Sequence, residues 1–334
     1  MKNPLRIGIA GLGTVGAGVV KLLAEHGRLL SLRGGRPLKV VAVSARSRTK
    51  KRDIDLTGVR WERDPMALAT AGDIDVVVEL IGGSGGIARR LVQAALRSGK
   101  HVVTANKALL ALHGAELAAL AEKKNRMLAF EAAVAGGIPI IKALREGLVG
   151  NRVKRLYGIL NGTCNYILTT MRETGRDFDV VLAEAQAAGY AEADPSFDVD
   201  GIDAAHKLAV LTGAAFGARV NFAGIHVEGI RRVSAMDIQF AEELGFRIKL
   251  LGMARETRYG IEQRVHPCMV PLAAPIAHIE GVFNAVVVEG DFVGTTMFQG
   301  RGAGQGPTAS AVVADLVDVA RGRDMPAFVV PADR

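Results

Sequence analysis

"LRIGIAGLGTVGAGVVKLL", residues 5–23, decides how the first half of this chain folds. A short apolar run, a glycine cluster and an apolar helical periodicity read as strand, tight turn and helix. Gly11, Gly13 and Gly16 stand in the order G-x-G-x-x-G. Each has a mechanical role: Gly11 permits the turn, Gly13 admits a pyrophosphate against the backbone, and Gly16 lets helix and strand pack closely. The helix that opens at Thr14 and Val15 presents its free amides to that anion. The stretch predicts a dinucleotide-binding βαβ unit contacted by Gly11, Gly13, Thr14, Val15 and Gly16; a ligand-free βα turn is the simpler alternative.

The pattern continues outward. "LKVVAVSAR" (38–46) is the next strand, and its end lacks the carboxylate that receives the ribose 2′-hydroxyl of NAD. Arg46, Arg48, Lys50 and Lys51 follow instead. Arginine forks match a 2′-phosphate, so NADP(H) is the expected cofactor, with Arg46 and Arg48 as clamps and NAD(H) as the alternative. "DIDVVVELIGG" (73–83) is continuously apolar, as a strand covered on both faces should be. A helix, the strand "KHVVTAN" (100–106), a second helix and the strand "RMLAFEAAV" (126–134) keep the alternation. Lys107 falls at the carboxyl end of its strand, where open α/β sheets bind ligands. The expected fold class is α/β: a Rossmann-type doubly wound domain over residues 1–135, then an α+β domain over 136–304 for substrate binding, catalysis and dimerisation. "GRGAGQGPTASAVVADLVDVARG" (300–322) reads as a glycine loop, with Gly304 a cofactor contact, opening a helix near 305–322 that returns to the first domain.

Composition narrows the function classes. With 334 residues, 49% hydrophobic content and 40 glycines, the chain suits two globular α/β domains. No apolar stretch is long enough to span a membrane. The basic, apolar N-terminus resembles a signal peptide, but a glycine loop interrupts it before any cleavage-like site. Two cysteines, Cys164 and Cys268, make no disulfide framework, and the seven histidines lack paired metal-ligand spacing. A reducing cytoplasm is the expected setting. The formal charge of +8 suits small anions better than nucleic acid, because "RSRTKKR" (46–52) has no interleaved aromatic for base stacking.

The second informative stretch is "EADPSFDVDGIDAAHKLAVL", residues 192–211. Five acids precede Lys207, which sits one turn after Asp203 in a helix of Ile, Ala, Leu and Val. An ordinary surface i,i+4 pair is the bland reading. The surrounding apolar residues instead predict burial, and a buried ammonium demands a partner.

These motifs resemble the homoserine dehydrogenase family. The likeness runs in order through "GLGTVG", "TANKALLA", "EAAVAGGIPII", "GILNGTCNYIL", "AGYAEADPSFDVDGIDAAHKLAVL" and "GRGAGQGPTASAVVADL". The resemblance implies interconversion of L-aspartate 4-semialdehyde and L-homoserine with a nicotinamide cofactor, in threonine and methionine biosynthesis. It puts Lys107 and Lys207 at the reacting carbon, and Glu192, Asp198, Asp203, Gly162, Thr163 and Tyr190 around the substrate. It also implies a sodium site at Glu131, Val134, Gly136 and Ile138, and a homodimer paired through the second domain. Two departures stand out. "GGSGGIARR" (82–90) replaces the family's Glu-Pro-Ala segment, and the sequence stops before the amino-acid-sensing domain many members carry, so either that feedback is lacking or the sequence is truncated. Two rival readings are an acylating semialdehyde dehydrogenase using Cys164 as nucleophile, and a non-catalytic NADP-binding sensor.

Overall fold

The computed structural model describes residues 3–323 and 325–332. Strands β1 (Leu5–Ala10), β2 (Leu38–Ser44), β3 (Arg60–Glu62), β4 (Val76–Glu79), β5 (His101–Thr104) and β6 (Leu128–Ala129) form one sheet in the order β3-β2-β1-β4-β5-β6. Every pair in it is parallel. Strand order reverses between β1 and β4, which opens a crevice at their carboxyl ends, where a doubly wound sheet takes its ligand. The apolar runs that predicted two-sided cover are buried: Ile7, Ile9, Val76, Val77, Val78, Val102 and Val103 have no exposed surface.

The second sheet contains β7 (Val153–Ile159), β8 (His226–Val227), β9 (Phe246–Thr257), β10 (Gly260–Pro271), β11 (Phe283–Gly290) and β12 (Gly294–Arg301), in the order β12-β11-β7-β9-β10-β8. It is mixed, because β8 runs parallel to β10 while the other pairs are antiparallel. Helices Gly162–Thr174 and Ile202–Phe216 pack on it, and the latter also packs on helix Lys107–Lys123 of the first sheet's layer. That helix–helix seam carries an apolar core from one half of the molecule into the other. Helix Gln305–Arg321 packs against helix Thr14–Glu25, where a methyl on Gly18 would meet Gln305 Cγ at 2.6 Å.

One local expectation changes. The strand expected over 126–134 is only Leu128–Ala129, followed by a 3₁₀ turn at Glu131–Ala133. The Glu131 amide donates to Asp315 rather than to a strand neighbour (2.8 Å). Beyond that turn, Ile140–Lys142 form a short α turn that widens into a π turn at Ala143–Gly147. The alanine-rich segment 183–193 stays helical only to Ala187, since Gly189 (φ +77°) turns left-handed and ends it.

Candidate active site

The glycine turn is built as its spacing requires. A methyl on Gly11 (φ +103°) would stand 2.4 Å from the Leu80 carbonyl oxygen, which lines the other lip of the crevice. A methyl on Gly16 would strike the Gly11 carbonyl at 2.0 Å. Gly13 faces open space and caps helix Thr14–Glu25 without any acid in its first turn. Thr14 is exposed and Val15 half-buried at this helix start. An anion there meets free amides and the positive end of the helix, so these residues fit a dinucleotide pyrophosphate.

Arg46 and Arg48 are exposed in the turn after β2. Arg52, which the sequence reading passed over, anchors this turn: Nε donates to the Leu12 carbonyl (2.8 Å) and an η-nitrogen to the Lys50 carbonyl (2.9 Å). The guanidinium also lies over the Trp61 ring. Across the crevice, fully buried Glu79 accepts from the amides of Ile81 and Gly82 and from the Thr104 hydroxyl (2.8, 3.0 and 2.6 Å). Asn106 caps helix Lys107–Lys123 by accepting from the Leu109 amide, and its Nδ2 donates to the Gly83 carbonyl (2.7 Å). One network thus holds both the glycine-rich loop after β4 and the backbone that starts at Lys107. The sequence signal for it was the Asn-Lys pair opening a helix, a recognisable cap.

Lys107 and Lys207 come together on one carboxylate. Lys207 Nζ lies 2.6 Å from Asp203 Oδ2 and donates to the Leu160 carbonyl at 2.7 Å. Lys107 Nζ lies 3.0 Å from Asp203 Oδ1 and faces the Phe197 ring. Asp203 is 4% and Lys207 9% exposed, and Lys107 is the most open of the three. Burial alone would raise the Asp203 carboxyl. The two ammonium groups, with hydrogen bonds from Lys207 and Asn161, hold it well below the usual carboxylate range.

Asn161 is the residue that sequence reading missed. Its Nδ2 donates to Asp198 Oδ1 (2.7 Å) and to Asp203 Oδ2 (2.9 Å), while its Oδ1 caps helix Gly162–Thr174 through the Cys164 amide (2.8 Å). Gly162 and Thr163 therefore open a helix. Thr163 donates to the Tyr190 carbonyl (2.9 Å), and its hydroxyl lies 3.4 Å from Asp198 Oδ2. Burial raises the Asp198 carboxyl, and nearby Asp203 adds to that. The Tyr190 ring packs on Tyr166. Glu192 is exposed, with its carbonyl taking a bond from Gln186, and the cluster around Asp203 forms without it. His206 lies between the rings of Phe197 and Phe222, where burial lowers its pKa, with Lys107 contributing.

Cys164 is fully buried, and its thiol donates to the Asp198 carbonyl (3.2 Å). Burial pushes this thiol well above its ordinary pKa, with Asp198 and Asp203 adding to the effect. A thiolate nucleophile is disfavoured here.

The geometry agrees with similarity to known proteins. Residues 11–131 match the model of the homoserine dehydrogenase NAD-binding domain, and residues 139–317 match that of homoserine dehydrogenase itself. The chain belongs to the homoserine dehydrogenase family. It is 53% identical to the homoserine dehydrogenase of Neisseria gonorrhoeae over 319 residues, covering 96% of this chain and 73% of that protein. The corresponding enzyme of Pseudomonas aeruginosa is 54% identical over the same shares. A crystal structure of a homoserine dehydrogenase from Thiobacillus denitrificans superposes with a TM-score of 0.94 at 50% identity, covering 99% of this chain and 78% of that one. A hyperthermophilic archaeal homoserine dehydrogenase in complex with NADPH gives 0.79 at 30% identity, covering 94% and 97%. The chain is thus an NAD(P)-dependent oxidoreductase built on a pyridine-nucleotide-binding domain. Among the described residues, no helix is long and apolar enough to cross a membrane.

Proposed function

We propose that this homoserine dehydrogenase interconverts L-aspartate 4-semialdehyde and L-homoserine at the Lys107–Asp203–Lys207 cluster, in threonine and methionine biosynthesis in the cytoplasm. The observation that carries the reading is the bridging of both lysines by one buried carboxylate (3.0 and 2.6 Å). The bound nicotinamide supplies or accepts the hydride. Reduction leaves negative charge on the substrate oxygen, and a cationic N–H stabilises it and can surrender a proton. Lys207 is the proton donor in that direction and the base in the other. Lys107, more open and nearer the crevice, orients the substrate and shares the electrostatic work. Asp203 holds both ammonium groups in place, and Asn161 fixes Asp203 and Asp198. Glu192 receives the substrate's α-ammonium, which requires its exposed side chain to swing toward the cluster, while Gly162, Thr163 and Tyr190 line the approach.

The working division is a nucleotide domain over 1–135, with helix 305–322 returning to it through Gly304, and a substrate and dimerisation domain over 136–304. Arg46 and Arg48, exposed beside the glycine turn, favour the 2′-phosphate of NADP(H), with NAD(H) a weaker cofactor. A sodium ion is assigned to Glu131 and the carbonyls of Val134, Gly136 and Ile138. Glu131 is buried and accepts the amides of Ile141 and Lys142 (2.9 and 2.8 Å), and Asp315 Oδ1, 3.7 Å from Lys142, is buried without a hydrogen bond, so this region offers carboxylate oxygens to a monovalent cation. The functional unit is a homodimer.

The test is reduced-nicotinamide absorbance with L-homoserine, run with NADP⁺ and NAD⁺ in parallel on the parent enzyme, Lys107→Ala and Lys207→Ala. Each folded variant should lose about 10²-fold or more in turnover at saturating substrate. A variant that keeps parental turnover removes that lysine from the mechanism.

A further inference from the structure

Lys107 opens one of two packed helices and Lys207 is the sixth residue of the other, and both helices keep an interior glycine farther along. Glycine there is unfavourable relative to alanine, so the space itself needs an explanation. Phe328 and Val220 fill it, the ring lying nearer to both glycines. A methyl on Gly114, seven residues beyond Lys107, would stand 3.2 Å from Phe328 Cζ. A methyl on Gly213, in the helix of Lys207, would stand 2.9 Å from Phe328 Cδ1. Val220 reaches the same place, with Cγ2 at 3.6 and 3.0 Å from the two positions.

The ring arrives on a strap that crosses the seam. Ala327 accepts a long bond from Arg145 (3.5 Å), and the Phe328 ring packs on Phe130 with centroids 5.0 Å apart. Val330 closes the strap against Gly217, where a methyl would meet it at 2.9 Å. Between them, Val329 holds a left-handed backbone (φ +54°). For a β-branched residue that conformation is costly, and it persists only where surrounding packing imposes it.

We propose that Phe328 is a positioning residue: it sets the separation of the two lysine-bearing helices, and through it the span over which Asp203 holds both ammonium groups. The helices act as levers. A residue seven places along stands two turns away on nearly the same face, so a shift at Gly114 carries to Lys107 as a rigid displacement, whereas Gly213, on a different face from Lys207, acts by moving its helix as a whole. The inference rests on the two-lysine reading above. It concerns turnover rather than cofactor capture, because the glycine turn at Gly11–Gly16 belongs to a separate packing layer.

The experiment is to place methyls under the ring. Gly213→Ala and Gly114→Ala add carbons 2.9 and 3.2 Å from ring atoms, closer than side chains ordinarily pack, while improving intrinsic helix propensity. Each should lower kcat by about tenfold, since ångström-scale misplacement of reacting groups has effects of that order or more. The KM for the nicotinamide cofactor should stay within about twofold of the parent. Phe328→Leu, a smaller apolar side chain, should restore kcat when combined with Gly213→Ala. Parental kcat in both glycine variants overturns the assignment. So does a fall in kcat that follows melting temperature and cofactor KM and is not relieved by Phe328→Leu. Lys207→Ala measured beside them separates the two failures: if it is inactive while the glycine variants are unaffected, only the role of Phe328 falls.

Discussion

Two buried carboxylate–lysine clusters, one at the candidate active site and one at Glu131, differ in how closely their cations approach. At the candidate active site one carboxylate, Asp203, lies between two ammonium groups. At the junction of helix Gln305–Arg321 with the turn at Glu131, two carboxylates lie close together. Lys142 stands 3.7 Å from Asp315 and also pairs with Asp318. The consequence for protonation is opposite. Asp203 is driven down by its cations despite burial. Glu131 is pushed up to about 7 by burial, with Asp315 adding to it, and burial raises Asp315 as well. Depth alone therefore decides nothing; the closeness of the cations does, with ammonium groups 2.6 and 3.0 Å from Asp203 but Lys142 3.7 Å from Asp315. The first cluster fixes two ammonium groups on one carboxylate, and the second leaves its lysine farther from Asp315.

Asp203→Asn attacks the comparison where the effect is largest. It leaves two buried or half-buried ammonium groups facing a neutral amide, a loss of about 3–5 kcal/mol by analogy with broken buried pairs. Chemical denaturation should show this, and turnover should fall roughly 10²-fold or more as the lysines lose their anchor. The sign with pH is fixed by the direction of the shift. Asp203 titrates lower in the folded state than in the unfolded state, so its contribution is present above pH ~4 and is lost as pH falls toward the folded value. The asparagine variant lacks that acid-sensitive component. Equal stability of the two proteins at neutral pH would mean the carboxylate does not balance the lysines.

Glu131→Gln examines the opposite cluster and should have a smaller effect. Here the folded state holds its proton more tightly than the unfolded chain. The contribution is full below pH ~4.5 and is lost as pH rises through about 7. Glutamine removes that slope, so the variant should gain roughly 1–3 kcal/mol relative to the parent between pH 5 and pH 8. Melting curves across that range check it, and parallel slopes would refute it. Sodium sharpens the result. A bound cation favours the ionised carboxylate, so sodium should flatten the parental slope more than choline at equal ionic strength.

Much of this was legible in the sequence, and for identifiable reasons. The glycine turn could be read because each glycine answers a local steric demand, and the structure puts carbonyl oxygens where Gly11 and Gly16 would otherwise carry methyls. Lys207 could be read because an ammonium in an apolar helix requires a partner one turn away. Its meeting with Lys107 was implied only by family resemblance, since the two residues are 100 positions apart. Asn161 was missed because its bonds to Asp198 and Asp203 are set by tertiary placement, although its helix-capping position was visible. The end of β6 was misread because Asp315, far along the chain, captures the Glu131 amide (2.8 Å). Hydrophobic period reports faces, and says nothing about a distant side chain that takes a backbone group out of a ladder.

The smallest expected effect lies inside the lysine cluster and tests whether Asp203 sets its charge balance without help. Cys164 caps no helix itself and lines the same interior, so a thiolate there would add a negative charge beside Asp198 and Asp203 and weaken the contrast between the two clusters. Its burial argues that it stays neutral. Cys164→Ser keeps a donor of similar size toward the Asp198 carbonyl, and should leave turnover within about twofold and stability within about 1 kcal/mol. Alkylating agents should leave the native enzyme active, because the sulfur has no exposed surface. Loss of activity in the serine variant at unchanged stability would put a reactive sulfur in the chemistry. It would also revive acyl transfer through a thioester and require the cluster's charges to be counted again.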